Sequence, residues 1–170
     1  MLEKQAALPK DIEWHQIGHL QSNKVKMIAP FVTLIHAVDS LPLLEEIDKQ
    51  AKKHGRTIDC LLQLNIATES SKFGLTESTA TAMLRQNAFL ALKNVRICGV
   101  MGMATYTDNK EQVRQEFNTL KQIFERLKLQ FFSSQPNFKE ISMGMSGDWQ
   151  IAVEAGSTMV RIGSLIFGAR

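Results

Sequence analysis

Two periods alternate along this chain from end to end, and few architectures accept such a pattern. Runs rich in β-branched and apolar residues read as strands: Glu13 to His19, Val32 to Val38, Ile58 to Ala67, Val95 to Met103, Ile141 to Met145 and Met159 to Ile162. Between them apolar residues recur at helical spacing. Ser22 to Ala29 is a short helix stopped by Pro30. Asp39 or Ser40 caps a helix through Leu44, Ile47 and Ala51 that ends at Gly55, and another enters near Thr76 and runs through Met83 and Leu84. The clearest helix puts Val113, Phe117, Leu120, Phe124 and Leu127 on one apolar stripe, which belongs to the core; a polar connection over 128–138 follows it. A last helix through Trp149, Ile151, Ala152 and Ala155 ends at Gly156. Apolar strands alternating with helices predict a parallel α/β sheet covered by helices. An open doubly wound sheet is complete with six strands, whereas a closed barrel takes eight and would leave two edges unpaired here. Against the open sheet, no Gly-x-Gly-x-x-Gly follows the first strand.

Size and charge narrow the function classes. At 170 residues, 44% apolar and 22% charged, the chain has the dimensions of one globular domain able to bury a core. Its 20 basic and 17 acidic residues give a net charge of +3 with no long block of one sign, so no nucleic-acid partner is expected. The run Lys49 to His54 reads as a solvated helix end. No apolar run approaches the roughly 20 residues that span a bilayer, and no signal-peptide stretch opens the sequence, so a cytoplasmic location without a membrane partner is expected. Cys60 and Cys98 lie inside apolar strands with no CxxC or Cys/His spacing, which predicts buried free thiols and no metal site.

Chemistry concentrates in the last thirty residues. The fifth and sixth strands both stop at small residues, Ser146-Gly147 and Gly163-Ser164, where a helix can begin. A helix N-terminus leaves backbone N–H groups unpaired, and small residues let that backbone approach an anion. Two such turns on successive strands can share one phosphate, as the last loops of a β/α barrel do, and Arg161 stands just before the second. The alternative is that Gly144, Gly147, Gly156 and Gly163 are ordinary turn and helix-end glycines.

Five segments carry a more specific signal: Trp14-His-Gln-Ile-Gly-His-Leu-Gln-Ser-Asn-Lys-Val-Lys26, Leu64-Asn-Ile-Ala-Thr-Glu-Ser-Ser-Lys-Phe-Gly74, Gly99-Val-Met-Gly-Met103, Ser142-Met-Gly-Met-Ser-Gly-Asp148 and Gly156-Ser-Thr-Met-Val-Arg-Ile-Gly-Ser-Leu-Ile-Phe-Gly-Ala-Arg170. In this order and over essentially the whole chain they resemble the pyridoxal phosphate homeostasis protein family. The resemblance implies an alanine-racemase-like (β/α)8 barrel of the TIM type. It also implies a single domain over 1–170 that binds pyridoxal 5'-phosphate and serves vitamin B6 and amino-acid homeostasis without established turnover. By motif, Arg161 would face the pyridine nitrogen; Ser146 with the Met145 backbone, and Gly163 with Ser164, would hold the phosphate. A guanidinium cannot surrender its proton, so the ring nitrogen would stay unprotonated and the ring a weaker electron sink.

The departure lies at the front. Members of the family carry a Schiff-base lysine in a Val-Ser-Lys-like context at the end of the first barrel strand and a Gly-Glu-Asn segment on the second. Neither occurs here. The expectation is therefore about six of eight β/α units, a barrel lacking the first two, monomeric if complete and able to associate through open sheet edges as given. Lys72, after the third strand, and Lys24, after the first, are the lysines considered for attachment. His15 and His19 share one strand face in this reading, with His19 a candidate pocket residue. The alternatives are a racemase-like enzyme, for which Tyr106 is the one tyrosine available as a second acid or base, and an inactive fragment.

Overall fold

In the computed structural model, which describes residues 1–68 and 73–168, six strands form one parallel sheet in chain order. The strands are β1 (Trp14–Gln16), β2 (Val32–Val38), β3 (Ile58–Leu64), β4 (Val95–Gly102), β5 (Glu140–Met145) and β6 (Met159–Arg161). Helices α1 (Leu2–Ala7), α2 (Ser22–Ile28), α3 (Leu41–Lys53), α4 (Glu77–Leu84), α5 (Asn87–Leu90), α6 (Lys110–Phe131), α7 (Trp149–Glu154) and α8 (Ser164–Phe167) alternate with them. The sheet is curled. In a flat sheet β2 and β5 would lie about 14 Å apart, three inter-strand spacings. Here the side chains of His36 on β2 and Ser142 on β5 meet at 2.9 Å across the concave face.

The two faces are filled differently. The convex face packs Ile35, Ile58, Leu62, Leu64, Ile97 and Val100 against the helices. The α6 stripe lands there as its spacing demands, with Phe117 and Leu120 wholly buried, and Phe124, Phe138 and Phe132 stack in turn at centroid distances of 4.9 and 4.2 Å. The concave face carries a smaller cluster, Leu34, Ala37, Leu61, Cys98 and Met101. Both cysteines are free and buried.

Several boundaries move from their expected places. β1 ends at Gln16, whose Nε2 donates to the Gly18 carbonyl in a turn, so His19 lies outside the strand and shares no strand face with His15. β3 ends at Leu64 because Leu75 bridges to it, donating to the Gln63 carbonyl and accepting from Asn65 N–H. α6 runs on to Phe131, inside the expected connection, and is followed by the Phe132 ring buried on Phe138. α1, which buries no residue, and the four-residue α5 have no strong apolar period to announce them. Thr76 and Asn109 cap α4 and α6 through their side chains; Ser40 occupies the N-cap of α3, but its hydroxyl donates to Asp39.

Candidate functional site at the ends of β5 and β6

The carboxyl ends of β5 and β6 bring the two small-residue turns together. Gly144 adopts φ +92°, and a Cβ there would lie 2.5 Å from that of Ala152, so α7 can fold back tightly on β5. Ser146 and Gly147 then fill the turn before α7, and Gly163 is the N-cap of α8. Gly163 N–H donates to Ser146 Oγ at 3.3 Å, which joins the turns. An added Cβ at Gly147 or Gly163 would meet nothing within 4 Å, so both backbones border open space. Ser164 opens α8. The Met145 N–H is engaged as well: Asp148 Oδ1 accepts it at 2.5 Å, a carboxylate inside the turn that anion chemistry alone does not anticipate.

Arg161 reaches the concave face from β6 and is 9% exposed. Its Nη1 donates to Ser142 Oγ at 2.8 Å and its Nη2 to the Gly102 carbonyl at 3.1 Å. Nε is buried and has no hydrogen-bond partner among the described residues. Among the described residues no carboxylate forms an ion pair with it. Burial lowers its pKa to about 10, against the opposing charge of Asp148, so it stays cationic at neutral pH. Beyond Ser142 the row continues to His36, which is fully buried and meets Ser142 Oγ through Nδ1 and His15 Nδ1 through Nε2 at 3.2 Å. Burial, then the charges of His15 and Arg161, pull the His36 pKa down to about 3. Burial also lowers that of His15, with Glu13 opposing.

A cleft of about 610 Å³ opens beside the turns, with Met103, Tyr106 and Asp108 on one side and Met145, Gly147 and Asp148 on the other. Its β4–α6 lip is fastened from below. Glu116 on α6 accepts from Thr105 N–H at 2.6 Å and Thr105 Oγ1 at 2.7 Å, and from Gln112 Nε2 at 3.2 Å. Burial alone would raise the Glu116 pKa, but these hydrogen bonds outweigh it and hold the carboxyl below its ordinary range. Tyr106 on that lip is 97% exposed.

His19 stands apart from this constellation. It sits 3.7 Å from Asp39 Oδ2, stacks on Phe73 at 4.7 Å, and borders a separate cleft of about 710 Å³ together with Lys24. Lys72 lies outside the described residues. The structure joins Ser146 to Gly163, with Arg161 and Ser164 flanking that glycine in the chain, and brings nearby three residues the sequence reading did not assign to the site, His36, Ser142 and Asp148. The signal for the first two was a polar residue isolated within an apolar strand, which burial must satisfy internally.

The fold defines the class. An alanine racemase of Clostridium difficile 630 superposes with a TM-score of 0.66 over 94% of this chain and 40% of that one, at 14% identity, so the sheet and its helices are those of the alanine racemase β/α barrel. Residues 5–170 match the family described as alanine racemase, N-terminal domain. The pyridoxal phosphate homeostasis protein of Aquifex aeolicus (strain VF5) is 39% identical over 170 residues, covering 99% of this chain and 72% of the relative. PipY of Synechococcus elongatus PCC7942, solved with PLP bound, is 32% identical with a TM-score of 0.85, over 98% of this chain and 74% of PipY. The chain belongs to the pyridoxal phosphate homeostasis protein family.

Proposed function

We propose that this chain binds pyridoxal 5'-phosphate at the ends of β5 and β6 and acts in vitamin B6 and amino-acid homeostasis, without turnover of its own. One observation carries this: a buried guanidinium that, among the described residues, forms no ion pair and has an unpartnered Nε, beside two joined turns whose backbone borders open space. A buried cation of this kind calls for an acceptor. The donor set fits the cofactor. Ser146 Oγ and the Gly163 and Ser164 backbone would hold phosphate oxygens, with Met145 shaping the turn through its bond to Asp148. α7 and α8 are short, so the backbone donors matter more than any helix dipole. Arg161 Nε would meet the ring nitrogen and keep it unprotonated. When bound, the group supplies an aldehyde that can hold an amine and a ring that can draw electrons.

Lys72, outside the described residues, and His19, on a separate cleft, stay in the proposal only as further candidate contacts of the cofactor, and it takes 1–170 as a single domain, cytoplasmic, with neither nucleic acid nor membrane as partner. The near balance of charge supports the first exclusion, and no described helix is long and apolar enough to cross a membrane. β1 and β6 each have one strand neighbour among the described residues, and association through those edges belongs to the proposal. The racemase-like alternative would need Tyr106 as its second acid or base, and that side chain borders the cleft but is almost wholly exposed.

Titration of the chain with pyridoxal 5'-phosphate, followed by absorbance and calorimetry, tests the site. Saturable binding that inorganic phosphate competes away, and that Gly163→Val weakens at least tenfold with the fold intact, is the expected result. Binding unchanged in both Gly163→Val and Arg161→Gln would place the cofactor elsewhere.

A further inference from the structure

Ser142 is fully buried, and its hydroxyl has two partners, Arg161 Nη1 at 2.8 Å and His36 Nδ1 at 2.9 Å. A guanidinium has no acceptor, so it donates to Ser142 Oγ. The Ser142 proton then has one place to go, the His36 Nδ1 lone pair, since any other direction strands a buried hydroxyl proton. This fixes the His36 tautomer: its proton is on Nε2 and is donated to His15 Nδ1 at 3.2 Å. Burial keeps His36 neutral to about pH 3, so the same arrangement holds across the ordinary range. Side chains from β6, β5, β2 and β1 form a one-way row of donors that begins at Arg161.

The row settles how the guanidinium is held. With Nη1 on Ser142 and Nη2 on the Gly102 carbonyl, the plane of the group is pinned at two points and Nε–H is the nitrogen left without a partner. Without the Ser142 bond, one carbonyl would hold the group and it could turn about that single contact. We propose that Ser142 and His36, backed by His15, are positioning residues that set the plane of Arg161 and so select a ligand whose acceptor meets Nε. This rests on the cofactor site proposed above. It concerns the ring end of the ligand, because the phosphate turns are built from the backbone and Ser146 and do not touch the row.

Two measurements on the full chain test it. The first is imidazole ¹⁵N NMR at neutral pH, where His36 is expected to show an acceptor-type Nδ1 and a protonated Nε2. The second compares affinities for pyridoxal 5'-phosphate and inorganic phosphate. Ser142→Ala is expected to weaken the former about tenfold, or about 1.4 kcal/mol, and the latter less than twofold, with Ser142→Thr restoring the loss. His36→Asn, which keeps an acceptor for Ser142 but drops the link to His15, is expected to give a smaller loss in the same direction. A His36 protonated on Nδ1, equal losses for both ligands, or no loss for either overturns the assignment. A wild-type chain that binds both ligands equally sinks the cofactor site instead, and the ¹⁵N signals then decide the row alone.

Discussion

The convex and concave faces of this one sheet solve the same burial problem in opposite ways. Outside, β2 to β5 offer branched aliphatics to the helices, and phenylalanines stack behind them. Inside, a small apolar cluster shares the surface with His36, Ser142 and Arg161, which remain buried because each finds partners there. The difference separates two jobs. The outer face holds the chain together through area removed from water; the inner face contributes little of that and spends its polar groups on orientation.

The contrast breaks first if the outer face is less important than its packing suggests. Phe117→Ala removes a wholly buried ring and is expected to cost about 3–5 kcal/mol, read as a drop in denaturant midpoint. The inner face makes its own demand on stability through protons. His36 folds with its pKa near 3 against an ordinary 6.5, so its contribution is fully present above pH 6.5 and is lost as pH falls toward 3. The expected slope is about 1.4 kcal/mol per pH unit, seen as the difference between wild-type and His36→Asn unfolding curves over that window. Arg161→Met sharpens the division further. Removing an unpaired buried cation is expected to leave stability equal or raised, within about 2 kcal/mol, while pyridoxal 5'-phosphate affinity falls at least tenfold. Smallest of all is the exposed pair of Arg126 with Glu77, at 2.6 Å: Glu77→Ala is expected to change stability by less than about 1 kcal/mol.

What the sequence shows of this molecule follows the same division. Helical stripes and apolar strand runs belong to the outer face, so the order of the elements and the α6 core stripe are legible in them. The inner face escapes a reading by twos. Leu34 and Ala37 both line the concave cluster although three residues apart, because β2 carries an extra residue between its Ile35 and Val38 pairings with β3. Cys98 and Met101 repeat the effect on β4, where Leu61 pairs with Gly99 directly after Cys60 pairs with Ile97. Each insertion resets which parity faces inward. The turns at Ser146 and Gly163 are legible through their small residues, whereas the row from Arg161 to His15 joins β6, β5, β2 and β1 and needs the curl of the sheet to exist.

The Glu116 carboxylate under the cleft's lip has a consequence in time as well as in space. Thr105 lies in a loop, yet its amide proton is tied to a side chain that rides on a 22-residue helix. Its exchange with deuterated solvent is therefore expected to be slower than that of an unbonded loop amide, because the bond to Glu116 must break first. A ligand entering the cleft meets a lip tethered to the helix beneath it through one carboxylate.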